Sequence, residues 1–245
     1  MTAEHGTATP VSALDGADAS TPGAGSGLAR LLQLGSAALP VGAFAYSDGL
    51  ESAVLAGLVH DEQTLGQWLD ELLELGLERL DLPVYGRLFE AFASNRIESL
   101  LEWNDFLLAC RESAELRAAD QHAGGALRRL LIELDEPLPS ALRTHVALSF
   151  ACMHAVAAGC WSLKVRDAAQ TLVWSMLESR ALAAVKLVPL GQSVAQRVLL
   201  RLGRRLPEAV NRALALPDDA IGGSLPMLSL LSMQHETAYT RLFRS

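Results

Sequence analysis

Apolar residues recur at three- and four-residue steps along most of this chain, and that spacing restricts most of it to α-helices. The clearest run follows Asp61 and comprises Leu65, Trp68, Leu69, Leu72, Leu73 and Leu80. An α-helix turns once every 3.6 residues, so this run lines one face of an amphipathic helix. Asp61 is predicted to cap the first turn, where backbone N–H groups lack partners. Pro83 is expected to break this helix, with a second helix running to about Ala93.

The same period predicts further helices around residues 97–108, 127–134, 141–159 and 167–188, and from residue 191 onward. Residues 141–159 are apolar nearly all round, which is typical of a central, buried helix. The Gly124–Gly125 pair is predicted to mark a close packing point, and Pro207 either kinks a helix or opens one. We therefore predict an all-α fold, a single-domain bundle of about eight to ten helices over residues 28–245. Residues 1–27, rich in Ala, Gly, Ser, Thr and Pro, are expected to form a disordered tail.

Composition excludes several classes of protein. The net charge of −8 argues against nucleic-acid binding, which depends on clustered Lys and Arg. Apolar runs long enough to span a membrane are missing from the sequence, and residues 1–27 lack the features of a secretory signal. The three cysteines, Cys110, Cys152 and Cys160, have no CxxC spacing and fit a reducing, cytoplasmic compartment.

Motifs for catalysis are also missing from the sequence. It contains no phosphate-binding GxxxxGK[ST] loop, no HExxH pair and no GxSxG. One alternative stays open, a helical metal-dependent enzyme that uses His145 and Cys152. These two residues are seven positions apart and would share a helix face. The simpler interpretation makes Cys152 a small core residue and His145 a hydrogen-bonded polar one.

Three segments differ from the helical background. Residues 37–51 combine Pro, Phe and Tyr with Gly42 and Gly49, which suggest tight turns or close backbone approach. Residues 185–192 form an apolar helix end around Pro189. Residues 235–245 concentrate Tyr, Phe, Arg and His, and Tyr and Arg are frequent interface residues. Such a terminal segment either docks on its own domain or becomes ordered on a partner.

A basic stripe follows the second of these segments. It consists of Arg197, Arg201, Arg204 and Arg205, which recur at helical spacing on an otherwise acidic chain. The stripe is either a docking face for an acidic partner or an ordinary solvated face. A helical regulator that binds an acidic partner is therefore a further alternative.

Taken together, these segments resemble the UreF family of urease accessory proteins over roughly residues 28–245. The matching pieces are the loop from 39–42 to 49–51, the Arg-Glu-Ser-Ala-Glu-Leu-Arg helix at 111–117, the turn at 185–192 and the closing residues 241–245. The combination, in this order and spacing, carries the resemblance. Ala43 and Ala45 depart from the family, which usually has Gly and Ser in this loop.

The resemblance implies a cytoplasmic, non-enzymatic chaperone and scaffold, often dimeric. Its partners would be UreD (also called UreH), the GTPase UreG and the urease apoprotein, which receives nickel in a GTP-dependent step. Nucleotide and nickel binding belong mainly to UreG, so no cofactor is expected here, although the chain can influence GTP hydrolysis.

The resemblance also places the contact with UreD in a C-terminal segment, about residues 222–245. By position, it implies contacts from five residues of that segment, His235, Glu236, Tyr239, Arg241 and Arg244. Secondary candidates for partner contact come from the other two segments, Tyr46, Glu51, Lys186 and Gln192.

Overall fold

The computed structural model describes residues 24–42 and 45–243, and these ranges hold twelve α-helices and no β-strand. The helices are α1 Ala24–Leu34, α2 Leu50–Leu55, α3 Glu62–Glu71, α4 Leu82–Ala93, α5 Ile97–Ala109, α6 Ala114–Glu133, α7 Ser140–Thr144, α8 Phe150–Cys160, α9 Val165–Leu187, α10 Gln192–Gly203, α11 Leu206–Leu214 and α12 Pro226–Glu236. A π-helical segment, Leu72–Asp81, joins α3 to α4, and a 3₁₀ turn spans Asp218–Ala220. The all-α prediction is confirmed. The count exceeds eight to ten because α2 and α7 are too short to show a period.

Helix α1 begins at Ala24, inside the stretch 1–27 that the sequence predicts to be disordered. Leu34 is fully buried and α1 packs on α9. Residues 1–23 lie outside the described residues. Every helix within the described ranges is too short or too polar to cross a bilayer.

The longest helical element runs from Glu62 to Ala93 without a break, so the predicted interruption at Pro83 is wrong. Its start is confirmed, because Asp61 accepts from the Thr64 N–H at 2.8 Å as an N-cap. Pro83 follows the wider turns of the π segment and is the second residue of α4. In an α-helix the N–H of residue 83 would donate to the Arg79 carbonyl, but proline has no N–H. The Gly222 N–H donates to that carbonyl instead, at 2.9 Å.

Helix α8 forms the centre of the molecule, packed between α4, α6 and α9, and nine of its eleven residues are buried. The expected helix over 141–159 is interrupted, because residues 145–149 separate α7 from α8. Asn104 holds this connector. Its side chain donates to the Ala147 carbonyl at 3.0 Å and accepts from the Ser149 N–H at 2.8 Å. Ser149 then caps α8 through the Cys152 N–H.

Helix α6 packs on the start of α8 through Gly124. A Cβ at this position would lie 2.1 Å from the Leu148 carbonyl oxygen, so the predicted close packing point is confirmed. Asp120, one turn earlier, accepts from the Phe150 N–H at 2.7 Å and from Arg111 at 2.8 Å. Arg111, which is half-buried, also pairs with Asp81 at the end of the π segment. These contacts tie the beginning of α6 to the long helix and to α8.

Candidate protein-interaction site

Residues 237–243, here called the terminal segment, fold back onto the helices of their own chain. The Glu51 carboxylate, on α2 and 6% exposed, accepts from the backbone N–H groups of Leu242 at 2.8 Å and Phe243 at 3.0 Å. The Phe243 side chain is buried in the core. Of the two outcomes expected for this segment, the structure shows docking on its own domain.

His235 lies between two carboxylates at the end of α12. Its Nε2 is 3.1 Å from Glu51 and its Nδ1 is 3.2 Å from Glu115 of α6. Glu115 also accepts from Arg241 of the terminal segment at 3.1 Å. In this ionic cluster His235 is only 1% exposed, whereas the Arg241 side chain at its edge is 38% exposed. The cluster links α2, α6, α12 and the end of the chain.

Glu236 holds α12 against the first turn of α6. Its carboxylate accepts from the N–H groups of Ala114 at 3.1 Å and Glu115 at 3.3 Å, which lack partners inside that helix. The placement also puts a negative charge at the positive end of the helix dipole. A hydrogen bond between Ser113 and Ser232 at 2.8 Å completes the contact.

The turn before α2 allows α12 to approach closely. Gly49 has φ of +82°, and a Cβ there would lie 3.0 Å from the Leu228 carbonyl oxygen. Gly42 also has a positive φ, +73°. The prediction of tight turns or close backbone approach in residues 37–51 is confirmed: both glycines have positive φ, and Gly49 also shows a close approach, whereas no atom of the described residues lies within 4 Å of a Cβ at Gly42. Ala43 and Phe44 lie outside the described residues.

Tyr46 and Lys186 also reach this region. The Tyr46 hydroxyl hydrogen-bonds His122 Nδ1, and the Lys186 ammonium lies 5.7 Å from the centre of the Phe243 ring. An open groove beside the terminal segment is lined by Tyr46, Glu115, Ala118, His122, Arg241 and Phe243.

The remaining predicted contact residues lie apart from the cluster. Tyr239 is fully exposed, and Gln192 is exposed at the start of α10 with no described bond to the cluster. Arg244 lies outside the described residues. The structure thus brings together His235, Glu236, Arg241, Glu51, Tyr46 and Lys186, from three distant stretches of sequence.

Sequence reasoning missed the inverted polarity of α12. Its buried face carries Ser229, Ser232 and His235, along with Leu231. Its outer face exposes Met227, Leu230 and Met233 by 55, 54 and 43%. The other exposed positions, Pro226, Gln234 and Thr237, carry no charge. Three apolar residues in a row on an uncharged helix face form a patch typical of an interaction site. The three-residue spacing of Met227, Leu230 and Met233 is the sequence pattern that could have indicated this exposed face.

Three of the four arginines of the stripe pair with acidic residues of the same chain. Arg197 pairs with Glu62, Arg201 pairs with Asp70 at 2.7 Å, and Arg205 pairs with both Asp70 and Glu74. These ion pairs join α10 to α3 and the π segment. Arg197, Arg201 and Arg205 therefore already have acidic partners, which weakens the argument that the stripe is a docking face for another protein.

The proposed metal ligands do not share a helix face. His145 lies in the connector after α7, with Nδ1 3.0 Å from the Ala147 carbonyl oxygen, whereas Cys152 is buried inside α8. Burial raises the pKa of the Cys152 thiol, which keeps it in the protonated, poorly ligating form. Across the described residues, no group of three or more His, Cys, Asp or Glu could hold a metal ion.

A central cavity of ≈ 180 Å³ does not alter the conclusion about the metal-site alternative. Arg111 pairs with two of the carboxylates that line it, Asp81 and Asp120. A third, Glu112, accepts from Ser224 and Ser229. The cavity carboxylates named here are thus engaged by other side chains of the same chain.

Comparison with known proteins identifies the family of the chain. The family model for UreF matches residues 59–203. The urease accessory protein UreF of Chromohalobacter salexigens is 46% identical over 89% of this chain and 94% of its own length. Those of Alkalilimnicola ehrlichii and Pseudomonas putida are 42% and 46% identical, over 88% and 89% of this chain and 95% and 97% of their own. The chain belongs to the UreF family of urease accessory proteins.

Proposed function

We propose that this protein acts in urease maturation as a scaffold without chemistry of its own. In this proposal it assembles with UreD (UreH) and with the GTPase UreG, and promotes GTP-dependent insertion of nickel into the urease apoprotein. It works in the cytoplasm as a homodimer and modulates GTP hydrolysis by its partner. Family membership supports the urease role, and the surface of α12 supports the binding role.

The inverted polarity of α12 is the observation that carries the proposal. A surface helix normally buries its apolar stripe and exposes its polar one. Here Met227, Leu230 and Met233 face outward while Ser229 and Ser232 face inward. Covering the outer face with a partner would remove this apolar surface from water, and flexible methionines adapt to the shape of a partner.

The predicted contact residues that the structure describes then divide into three groups. Tyr239 and Arg241 of the terminal segment, with Glu236, Tyr46 and Lys186 beside it, retain exposed or half-buried surface for UreD. Glu51 and His235 are buried and act by positioning the terminal segment. Gln192 is exposed but separate from the cluster, so it offers a contact for a different partner or for the second copy of the chain.

The test replaces the outer face of α12 without touching its inner face. Met227→Ser, Leu230→Ser and Met233→Ser combined should weaken UreD binding at least about tenfold, since interface anchors each contribute 1 kcal/mol or more. Binding is measured by titration with purified UreD. The matched control changes three exposed leucines elsewhere, Leu32, Leu134 and Leu200, to serine. Equal affinity of the α12 variant and this control would contradict the proposal.

The wider role is tested by reconstitution. Urease activation is measured with UreD and UreG present, with and without this chain, alongside the rate of GTP hydrolysis. We expect activation to require the chain and the α12 variant to restore little of it. Full activation without the chain would exclude a scaffold role.

A further inference from the structure

The central cavity has mainly apolar walls and a volume of ≈ 180 Å³. It is lined by residues of α6, α9, the π segment, the stretch before α2 and the stretch that leads into α12. Much of the apolar lining comes from Leu39, Leu77, Leu116, Phe150, Met176 and Leu228. An apolar cavity of about 150 Å³ is large enough to hold benzene. The cavity of this chain therefore has room for an organic molecule of roughly six to eight non-hydrogen atoms.

One polar group of the lining has an unused hydrogen-bond donor. The two terminal nitrogens of the Arg180 guanidinium are engaged, one with the Met176 carbonyl at 2.6 Å and the other with Asp48. Its Nε is the single buried side-chain polar atom of the described residues without a hydrogen-bond partner. A buried N–H without an acceptor is unfavourable, so native proteins rarely leave one unpaired. An acceptor inside the cavity would satisfy it.

The charges around the cavity restrict the kind of acceptor. Four carboxylates and two guanidinium groups belong to the lining, those of Asp48, Asp81, Glu112, Asp120, Arg111 and Arg180. Carboxylates outnumber the guanidinium groups, so the field inside the cavity disfavours an anion. A cation is excluded as the partner of Arg180 Nε, because it carries positive charge toward a donor. The acceptor that remains is an uncharged oxygen, as in a ketone or an ether.

We propose that this cavity is a binding site for a small, uncharged organic molecule with an apolar body and one oxygen acceptor. The body lies against the leucine, phenylalanine and methionine side chains, and the oxygen accepts from Arg180 Nε. Exposed Ala37 is part of the lining, so the molecule reaches the site from the surface. Leu225 and Leu228 also belong to the lining, so the bound molecule contacts the start of α12 as well as α9.

NMR titrations of the full chain without any partner test the site, so the result does not depend on the proposed scaffold role. The probes are cyclohexanone, benzene and cyclohexanecarboxylate, of which only cyclohexanone is uncharged and carries an oxygen acceptor. Shifts of the backbone amides of the lining residues report binding. We expect saturable binding of cyclohexanone with a Kd of about 1 mM or tighter, as seven well-buried non-hydrogen atoms allow. Benzene and the carboxylate should each bind about tenfold more weakly, because one lacks the hydrogen bond and the other is repelled.

Two variants assign the binding to this cavity. Arg180→Lys retains a positive charge for Asp48 but has a methylene group in place of Nε, so cyclohexanone should lose about tenfold in affinity while benzene does not. Arg197→Lys, at an exposed arginine of α10, is the matched control and should change neither affinity. Ala119→Leu fills the cavity from α6 and should abolish binding of both probes, whereas Ala109→Leu on the exposed face of α5 should not.

Three results would overturn the proposal. The first is no saturable shift of the lining amides up to about 20 mM cyclohexanone, as for a cavity that takes up only water. The second is equal affinity for cyclohexanone and benzene in the wild type. The third is unchanged cyclohexanone affinity in Arg180→Lys. This last comparison remains decisive if Ala119→Leu fails to fold.

Discussion

Two buried histidines, alike in sequence, have opposite environments at the residue scale. His235 lies between carboxylates, whereas the described side-chain hydrogen bonds of His154 in α8 go to hydroxyl groups. The Tyr85 hydroxyl is 3.1 Å from His154 Nδ1, and the Thr171 hydroxyl is 3.4 Å from Nε2. Burial lowers the pKa of His154 to about 3, so this ring is neutral inside the folded protein. The sequence shows both as single histidines near apolar residues, because the surrounding groups come from distant helices.

The neutral His154 makes stability depend on pH in a defined direction. The folded-state pKa of about 3 lies below the ordinary value of 6.5, so below pH 6.5 the unfolded chain takes up a proton that the folded chain does not. The contribution of this group is complete above that value and is lost as pH falls toward 3. The free energy of unfolding should drop by about 1.4 kcal/mol per pH unit from this histidine.

Urea unfolding at about pH 7, 6 and 5 measures this dependence in the pH range where the histidine of an unfolded chain takes up a proton. His154→Gln keeps polar contacts but cannot take up a proton. Its free energy of unfolding should therefore fall less steeply with decreasing pH, by the amount that the uptake of one proton contributes. His60→Gln, at an exposed histidine, should leave the slope unchanged. Identical slopes in the wild type and His154→Gln would show that this ring does not cause the dependence.

At the scale of elements, sequence patterns succeeded where local rules decide and failed where a distant group intervenes. Asp61 starts its helix as expected, because the capping partner is three residues away. Pro83 does not end the same helix, because the π segment precedes it and the Gly222 N–H donates a hydrogen bond to the Arg79 carbonyl. Asn104, far away in sequence, holds the connector that divides the expected helix over 141–159.

The contact between α6 and α8 gives a prediction with a built-in control. Gly124→Ala would place a Cβ 2.1 Å from a backbone oxygen of the α8 connector, so the helices must separate. We expect a loss of about 1–3 kcal/mol in the free energy of unfolding, as for overpacked cores. Gly125→Ala meets only the end of the Arg129 side chain, at 3.7 Å, and should stabilise the helix by up to about 1 kcal/mol. Chemical denaturation distinguishes them, and equal effects would contradict the packing.

At the scale of the whole molecule, the end of the chain closes onto α2 and α6. Sequence reasoning selected three distant segments, and the structure brings residues of all three to one region. Gln192 is the exception, since its segment turns away at α10. Glu115 and the outer face of α12 were not identified, because their importance depends on which helices meet. The pattern alone could not show which face of a short helix is buried.

Neighbouring residues of the terminal segment should differ sharply in their effect on stability. Phe243 is 7% exposed and Leu242 is 64% exposed. Phe243→Ser should lower the free energy of unfolding by about 2 kcal/mol and the melting temperature by roughly 4–8 °C. Leu242→Ser should change stability by less than about 0.5 kcal/mol. Thermal melts followed by circular dichroism check this, and a Leu242 effect as large as that of Phe243 would show that the segment is docked differently.

Glu51 binds the terminal segment through main-chain N–H groups, not through side chains. Recognition of this kind does not read the identity of the residue at position 242. The segment can therefore present a wide range of outward side chains while its attachment remains the same. The surface that the segment presents to a partner can thus change in evolution without loss of the hydrogen bonds to Glu51. The condition is that neither position 242 nor position 243 becomes proline.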